Sequence, residues 1–289
     1  MIIALFESLR PKQWTKNLLV FAGYLFTINQ THPPGTFLRV LAAFGLFCGL
    51  TGATYILNDA VDVECDRRHP FKCKRPIASE RIPVRAAVIF ALILAGAAIW
   101  ASLRLELYFG LLAAGYFVLT MAYSAGLKHL VIVDLLVIAA GFVIRAAAGA
   151  IVIRVTISPW LLVCTTLLAL FLGLAKRRAE LVNLENGHHH RRALSDYTTP
   201  MLEQMLTISA AACLMGYFLY TFSPSPVTGE THPQMMITVP FVIYGLFRYL
   251  FLIHDRDAGA SPEQVLLEDR PLLIDIILYV VAAAVALKM

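Results

Sequence analysis

The sequence predicts an all-α polytopic membrane protein, a bundle of about nine transmembrane helices that forms a single domain over residues 1–289. Three observations favour this class. Hydrophobic residues make up 59% of the 289 residues and charged residues only 15%, whereas soluble domains have about 25% charged residues. The mean hydropathy is +0.72. Apolar stretches recur along the chain at lengths that suit a hydrocarbon core of about 30 Å. This composition excludes an ordinary soluble enzyme and a disordered tail protein.

Nine apolar stretches follow one another, each close to the roughly 20 residues that a transmembrane helix needs. Their centres are predicted at 18–28, 37–57, 86–103, 107–123, 131–152, 159–174, 202–222, 235–252 and 271–287. An odd number of spans places the two termini on opposite sides of the membrane. Residues 1–16 lack the cleavage site of a signal peptide. We expect them to lie along the membrane interface.

Lys and Arg are distributed unequally between alternate loops. Of the 24 such residues, about 19 fall on one side of the predicted bundle, and Arg145 lies inside a span. Positive loops remain in the cytoplasm, so we expect a multi-pass protein of the inner (plasma) membrane. Carboxylates crowd onto the same side. This predicts a polar cavity that faces the cytoplasm and receives a metal-bound polyanion.

The most specific motif lies at the cytoplasmic end of the second span. At about 100° per residue, four oxygen-bearing side chains share one helical face, while Glu64 points away. The four are Asn58, Asp59, Asp62 and Asp66. Carboxylates that repel one another beside a bilayer need a counter-ion, and Mg²⁺ favours a few carboxylates together with substrate phosphates. We therefore predict that these four residues hold Mg²⁺, the expected cofactor.

A basic loop follows this motif. Pro70 should end the helix and turn the chain, so that Lys72 and Arg75 face the carboxylates. Lys and Arg bind phosphate oxygens, and Arg does so with two parallel hydrogen bonds. The loop is predicted to close over a diphosphate, although a positive-inside loop without a ligand would have the same composition.

A second cluster lies between the fourth and fifth predicted spans, where Tyr123, Lys128 and Asp134 come to the same depth. From Asp134 the fifth span continues to Arg145, about 16 Å deeper and nearly on the same face. An arginine at that depth should face the interior, a partner or a ligand. Glycines four residues to either side, at 141 and 149, place Arg145 on a ridge flanked by glycines.

A third cluster ends the sixth span, where Lys176 and Arg177 precede Glu180. It is cationic where the second-span motif is anionic. A weaker signal pairs Arg248 and Tyr249 at the end of the eighth span with acidic residues that open the ninth. These two residues are candidates for substrate binding, and boundary anchors would look the same.

These motifs together resemble the UbiA superfamily of intramembrane prenyltransferases, over nearly the whole chain. The resemblance is closest to the decaprenyl-phosphate phosphoribosyltransferase branch of that superfamily. The matching segments are Arg10-Pro11-Lys12-Gln13-Trp14-Thr15-Lys16-Asn17, the Asp59 motif running into His69-Pro70-x-Lys72-x-x-Arg75-Pro76-Ile77-Ala78, Leu127-Lys128-His129 and Lys176-Arg177-x-x-Glu180. The fold that the resemblance implies is the UbiA-like helical bundle.

The resemblance also implies a reaction and its substrates. The expected enzyme moves 5-phosphoribose from phosphoribosyl pyrophosphate to a polyprenyl phosphate lipid for cell-envelope precursor synthesis, and it works in the bilayer with Mg²⁺. We expect no nucleic-acid partner, and the sequence leaves open whether the protein forms a homo-oligomer. The catalytic candidates are Asp59, Asp62, Asp66 and Lys128. The substrate-binding candidates are Lys12, Lys16, Asn58, Lys72, Arg75, Tyr123, Asp134, Arg145, Lys176, Arg177, Glu180, Arg248 and Tyr249.

One departure favours this narrower branch. Members that use prenyl diphosphates carry a second Asp-x-x-x-Asp motif at the sixth span, where this chain has Lys176-Arg177-Arg178-Ala179-Glu180. Extra cations suit a donor with an additional 5-phosphate and an acceptor that is itself a phosphate. The alternative reading is a UbiA-type transfer of a prenyl group to an aromatic or other small acceptor. A transporter of a phosphorylated solute would show ionisable residues near the midplane, and Arg145 alone approaches that description.

Overall fold

The computed structural model describes residues 2–185, 197–224, 229, 233–255, 265 and 268–288, and in this part of the chain its regular elements are all helices. Its helices are α1 (Ile2–Ser8), α2 (Ala22–Leu25), α3 (Thr36–Val61), α4 (Val63–Arg67), α5 (Val84–Leu105), α6 (Leu107–Ala125), α7 (Val133–Val152), α8 (Pro159–Glu185), α9 (Thr199–Phe222), α10 (Val239–Asp255) and α11 (Arg270–Ala286). Segments of 3-10 helix cover Pro11–Phe21, Lys72–Lys74, Leu127–His129 and Pro233–Thr238.

Seven helical segments in the described ranges are long and apolar enough to cross a membrane. They are Thr36–Val61, Val84–Leu105, Leu107–Ala125, Val133–Val152, Pro159–Val182, Thr199–Phe222 and Pro233–His254. Each coincides with one of the predicted spans. The chain is therefore a multi-pass membrane protein. Two of the nine predicted spans, the first and the last, fall outside this set.

The first predicted span differs from an α-helix. The apolar stretch 18–28 begins inside the 3-10 segment Pro11–Phe21, which continues into the four residues of α2. A 3-10 helix rises about 2.0 Å per residue and an α-helix about 1.5 Å, so this combined segment extends about 28 Å. The last candidate, α11, has 17 residues and extends about 25 Å. Both approach the thickness of a hydrocarbon core, and the count of nine stays a prediction.

The helices alternate in direction, so the same end of the bundle collects the charged motifs. Helices α3, α6, α8 and α10 finish at this end, and α5, α7, α9 and α11 begin there. We call it the charged end. Sequential helices pack against one another, with α3 on α5, α7 on both α6 and α8, and α8 on α9.

Two glycines allow the first segment to approach α7 closely. A Cβ on Gly149 would lie 2.0 Å from the carbonyl oxygen of Val20, and a Cβ on Gly23 would lie 2.8 Å from the backbone of Ala150. Side chains cannot be accommodated at either contact without moving a backbone. One of the two glycines that flank Arg145 on α7, Gly149, therefore lies directly against the 3-10 segment.

The buried apolar residues form two main clusters. One joins α3, α5 and α6 with the beginning of the chain, and the other joins α8, α9, α10 and α11. A large cavity is lined by residues of both groups of helices and by α7. Because the cavity reaches the charged end, the fold brings an apolar space and the charged motifs together.

Candidate active site

The acidic motif lies where α3 gives way to α4. Helix α3 ends at Val61, and Asp62 leaves the helical backbone with φ −88° and ψ 8° before α4 begins. Asp59 and Asp66 are each only 3% exposed, whereas Glu64 is exposed, as its helical phase predicts. Helix α4 ends at Arg67, three residues before Pro70, as the proline predicts.

Two arginines neutralise the buried carboxylates. Arg75 Nη1 donates to Asp59 Oδ1 at 3.0 Å and to Asp66 Oδ2 at 2.6 Å. Arg10 also donates to Asp59 Oδ1, and its guanidinium lies 4.9 Å from the ring centroid of Tyr55. Because one Arg75 nitrogen contacts both carboxylates, Asp59 and Asp66 lie on one face, as their helical phase predicts. Asp59 is the point where the beginning of the chain, α3 and the basic loop are tied together.

Arg10 makes this contact from an unusual backbone conformation. Its φ is 52° and its ψ 65°, in the left-handed region, directly before Pro11 opens the 3-10 segment. Such a conformation is strained for a residue with a side chain and tends to occur where surrounding contacts enforce it. The ion pair with Asp59 and the contact with Tyr55 are the contacts that hold it.

Asp62 turns to a different partner. Lys128 Nζ lies 3.1 Å from Asp62 Oδ1 and 3.4 Å from Oδ2. Lys128 belongs to the 3-10 turn Leu127–His129 between α6 and α7. The predicted single face is therefore divided, because the break in the helix at Asp62 turns this carboxylate toward the turn after α6 while its two neighbours meet Arg75.

A second ionic cluster is centred on Arg177, which is 2% exposed. Its Nε donates to Asp134 Oδ2 at 2.7 Å, its Nη2 to the Tyr123 hydroxyl at 3.1 Å, and its Nη1 to Glu180. Residues of the second and third predicted clusters therefore meet in one network across α6, α7 and α8.

The same network includes Tyr197, which precedes α9. Its hydroxyl accepts a hydrogen bond from the Ile132 N–H at 2.7 Å and donates to Asp134 Oδ1 at 3.4 Å. Burial raises the pKa of the Tyr197 phenol, and the charge of Asp134 raises it further. The phenol keeps its proton at neutral pH and remains a donor to that carboxylate.

The cavity has a volume of about 1130 Å³. At the charged end its wall includes Arg10, Lys16, Asn58, Tyr123, Lys176 and Arg177. Farther in, the lining is mostly apolar and comes from α7, α8, α10 and α11. A space with a cationic mouth and an apolar interior suits a ligand with phosphate at one end and hydrocarbon at the other.

Arg145 lines the cavity deep in α7, as its position predicts. It donates to Asn17 Oδ1 and to the Gly141 carbonyl, both at 2.8 Å, and to the Tyr116 hydroxyl at 2.7 Å. Its guanidinium also lies 4.6 Å from the Tyr116 ring centroid. Within the described chain it forms no ion pair, so its hydrogen bonds are with neutral groups. These contacts join the 3-10 segment to α6 and α7.

The predicted site residues fall into three groups. Lys16, Asn58, Tyr123, Arg145, Lys176, Arg177 and Tyr249 line the cavity. Asp59, Asp62, Asp66, Arg75, Lys128, Asp134 and Glu180 form the ion pairs at the charged end. Of the remaining three, Lys12 is exposed, Lys72 is half-buried in its turn, and Arg248 pairs with Asp269 at 2.9 Å.

Two cavity-lining residues were missed as site candidates. Arg10 opens the matching segment at residues 10–17, and its position directly before Pro11 was the signal that could have identified it. Asp275 lies on α11 and lines the cavity. A lone aspartate within an otherwise apolar span was the signal for it, because intramembrane carboxylates are rare and usually functional.

The carboxylates at the charged end suit a particular kind of metal binding. In the described ranges, no three His, Cys, Asp or Glu side chains come together as a ready-made metal site. Mg²⁺ usually takes one or two carboxylates, several waters and substrate phosphates. Asp59 and Asp66, which share Arg75, fit a Mg²⁺ ion that is bound together with a phosphorylated substrate.

Comparisons with known proteins identify a family and a shared fold. The profile of the UbiA prenyltransferase family matches residues 17–267. The decaprenyl-phosphate phosphoribosyltransferase of Mycolicibacterium smegmatis is 34% identical over 285 residues, covering 95% of this chain and 89% of that protein. The enzyme of the same name from Corynebacterium glutamicum is 35% identical over 273 residues, covering 93% and 82%. The structure of a UbiA homolog from Archaeoglobus fulgidus bound to GPP and Mg²⁺ shares the fold, with a TM-score of 0.73 and 16% identity over 99% of this chain and 100% of that one.

Proposed function

The chain belongs to the UbiA prenyltransferase family, and from this membership we propose that it transfers 5-phosphoribose from phosphoribosyl pyrophosphate to a polyprenyl phosphate, releasing pyrophosphate. Relatives that are 34% and 35% identical over nearly the whole chain carry the name decaprenyl-phosphate phosphoribosyltransferase. We also propose that it is an inner-membrane enzyme, that it uses Mg²⁺, and that its charged end faces the cytoplasm.

The observation that carries this choice is the cationic end of α8. Lys176 lines the cavity mouth at the place where the resemblance puts a second carboxylate motif in enzymes that use prenyl diphosphates. The neighbouring Arg177 neutralises Asp134 and Glu180. A second pair of carboxylates would add a metal site for one diphosphate. Cations instead suit a reaction in which the donor has two phosphorylated positions and the acceptor is a phosphate.

The cavity mouth and the cavity interior suit different parts of the two substrates. Lys16 and Lys176 lie in the wall of the cavity, where phosphate oxygens of donor and acceptor would meet. We place the polyprenyl chain of the acceptor in the apolar interior beside α7 and α8, because hydrocarbon gains free energy there. A water-soluble donor enters from the charged end. Both substrates then meet at the junction of the two environments.

The transfer itself requires little acid–base chemistry. An oxygen of the lipid phosphate attacks the anomeric carbon of the ribose, the new C–O bond forms, and the bond to the diphosphate breaks with its electron pair leaving on pyrophosphate. A phosphate acceptor is already ionised, so no side chain must remove a proton. The side chains of this site contribute positioning and charge neutralisation, which together supply most of the rate in related transfers.

Mg²⁺, when bound, would neutralise part of the charge on the diphosphate and so make it a better leaving group. Asn58, Asp59, Asp62 and Asp66 are the side chains we propose to hold it, directly or through water. Arg10, Arg75 and Lys128 pair with these carboxylates. The same three cations can move to donor phosphate oxygens, which would free carboxylate oxygens as the donor arrives.

This exchange predicts that metal binding depends on the diphosphate. Arg75→Gln should raise the affinity of the protein for Mn²⁺ in the absence of pyrophosphate by about tenfold or more, because Asp59 and Asp66 lose a competing cation. The same substitution should reduce the increase in Mn²⁺ affinity that pyrophosphate produces. Electron paramagnetic resonance of Mn²⁺ with purified protein in detergent micelles measures both affinities.

Arg67→Gln is the matched control for this experiment. Arg67 lies on the same stretch of chain but pairs with the exposed Glu64 and Glu80, so its replacement removes the same charge without uncovering Asp59. The proposed exchange is wrong if Arg75→Gln and Arg67→Gln change Mn²⁺ affinity equally, since that result would reflect net charge alone.

The proposed function is tested with purified protein, radiolabelled phosphoribosyl pyrophosphate, a polyprenyl phosphate and Mg²⁺ in micelles. The expected result is a labelled lipid that forms only when the acceptor is present and that disappears with a chelator. If folded protein gives no labelled lipid but transfers a prenyl group from its diphosphate to a small acceptor, the phosphoribosyl assignment is wrong.

A further inference from the structure

Asp275 is a carboxylate within the membrane-embedded wall of the cavity. It is 8% exposed and lies on α11, six residues after Asp269, which caps that helix at the charged end. Six residues correspond to about 9 Å along the helix axis. Leu272, Ile276 and Tyr279 also line the cavity, and this spacing identifies one face of α11. Asp275 therefore points into the cavity from below its mouth.

The neighbouring helix leaves room for this carboxylate. Gly245 of α10 faces it so closely that a Cβ there would lie 3.0 Å from Asp275 Oδ2. Within the described residues, Asp275 makes neither an ion pair nor a hydrogen bond. The nearby cavity lining from the two helices is apolar at Val242, Leu246, Leu272 and Ile276 and includes Tyr249 and Tyr279 one turn farther along each helix. A buried carboxylate without a partner is costly, so its presence points to a ligand that supplies hydrogen-bond donors.

The chemistry of the two proposed substrates identifies those donors. A carboxylate repels phosphates, and the cations that attract phosphates lie at the mouth. A polyprenyl chain has no hydrogen-bond donor. In contrast, the ribose ring carries two neighbouring hydroxyls, and one carboxylate can accept from both at once. Among the groups that enter the cavity, the ribose hydroxyls are the ones that fit Asp275.

We propose that Asp275 binds the ribose 2′- and 3′-hydroxyls of the donor and thereby selects a phosphoribosyl donor over a prenyl diphosphate. This inference rests on the proposed function. Donor phosphates would bind the cations at the mouth, and the ribose would extend inward beside α10 and α11. A prenyl diphosphate in the same place would cover Asp275 with hydrocarbon and leave its carboxylate unsatisfied, which is a strong form of discrimination.

Binding of two sugar phosphates tests this assignment without requiring turnover. Ribose 5-phosphate and 2-deoxyribose 5-phosphate differ only in the 2′-hydroxyl. Their competition with labelled phosphoribosyl pyrophosphate is measured on purified protein in micelles. We expect the natural chain to favour ribose 5-phosphate about tenfold, the effect of one hydrogen bond to a charged group. Asp275→Leu should remove this preference, and Asp275→Asn should retain part of it.

Controls separate hydroxyl recognition from a general role in structure. Ile277→Val changes a lipid-facing position of the same helix, 55% exposed, and should leave the preference intact. Inorganic pyrophosphate should bind natural and Asp275→Leu proteins equally. The inference is wrong if the preference survives in Asp275→Leu, or if pyrophosphate affinity falls in parallel with that of ribose 5-phosphate.

A prenyl diphosphate provides an independent measurement in the opposite direction. Geranyl diphosphate should compete more strongly with Asp275→Leu than with the natural chain, because its hydrocarbon would no longer cover a carboxylate. An unchanged or weakened competition contradicts the selection argument. If neither sugar phosphate nor labelled donor binds the folded natural chain, the proposed function fails as well, whereas normal donor binding with unaltered preferences overturns only the role of Asp275.

Discussion

Asp59→Ala is expected to lower the rate of phosphoribosyl transfer by at least about 10²-fold while the protein remains folded. Asp59 Oδ1 accepts from both Arg10 and Arg75, so one carboxylate connects the beginning of the chain, α3 and the basic loop. Its removal would take away a proposed metal ligand and also release two cations from their positions. Both arginine side chains are about a quarter exposed, so water can solvate them and the cost to folding should be small.

The measurement is the initial rate of labelled-lipid formation, together with thermal unfolding in the same detergent. Glu64→Ala is the matched control, because Glu64 is a carboxylate five residues along the chain that is exposed and pairs with Arg67. It should keep nearly the full rate. A rate for Asp59→Ala within a few-fold of the natural chain would remove Asp59 from the mechanism. A lost rate accompanied by early unfolding would assign it a structural role.

The sequence predicted which side chains lie at the charged end better than it predicted which of them form ion pairs with one another. Helical phase placed Asp59 and Asp66 together and turned Glu64 outward, because one helix face depends on local geometry alone. It could not predict that Lys128, 66 residues away, meets Asp62, since that contact depends on how α6 packs beside α3. Residues of the second and third clusters likewise meet at Arg177 through the packing of α6, α7 and α8.

The beginning of the chain was the least predictable part of the fold. Hydropathy identified an apolar stretch but not its 3-10 conformation, because mean hydropathy counts apolar residues without regard to the number of residues per helical turn. The larger rise of the 3-10 segment explains how so short a stretch extends so far. Its close contact with Gly149 depends on tertiary packing, which local sequence patterns do not contain.

Arg145 shows how a buried charge can be accommodated without a carboxylate. The sequence required a partner or a ligand for it, and the structure provides Asn17, Tyr116 and the Gly141 carbonyl. Asn17 in turn donates to Thr51 Oγ1 at 3.1 Å. Arg145 therefore fixes the 3-10 segment against α3, α6 and α7. The segment begins beside Arg10 and carries Lys16, so this deep network also positions cations at the cavity mouth.

Arg177→Met is expected to reduce the free energy of unfolding by about 3–5 kcal/mol, because it leaves Asp134 as a buried charge without its cation. Asp134 is fully buried, and Arg177 Nε at 2.7 Å is its ionic partner in the described structure. The hydroxyl of Tyr197 at 3.4 Å is a weak remaining donor. Chemical or thermal unfolding of the purified protein in one detergent measures the loss.

A double substitution distinguishes the pair from either residue alone. Arg177→Met combined with Asp134→Leu replaces both charges by apolar groups and should recover most of the lost stability, since burying an ion pair gains little over apolar packing. Arg67→Met is the control: Arg67 pairs with Glu64 and Glu80, which are 71% and 75% exposed, so its loss should cost about 1 kcal/mol or less.

The outcome also decides between two roles for Arg177. If Arg177→Met unfolds early and the double variant regains both stability and pyrophosphate affinity, Arg177 acts by joining α6, α7 and α8, and Lys176 is the cation of α8 that meets phosphate. If Arg177→Met keeps its stability but loses pyrophosphate affinity, the pairing with Asp134 is wrong as a structural account and Arg177 binds the substrate directly. We expect the first outcome, a loss of stability, because the Arg177 guanidinium is only 2% exposed. Asp134, Glu180 and Tyr123 surround it and already provide the acceptors that a phosphate would provide.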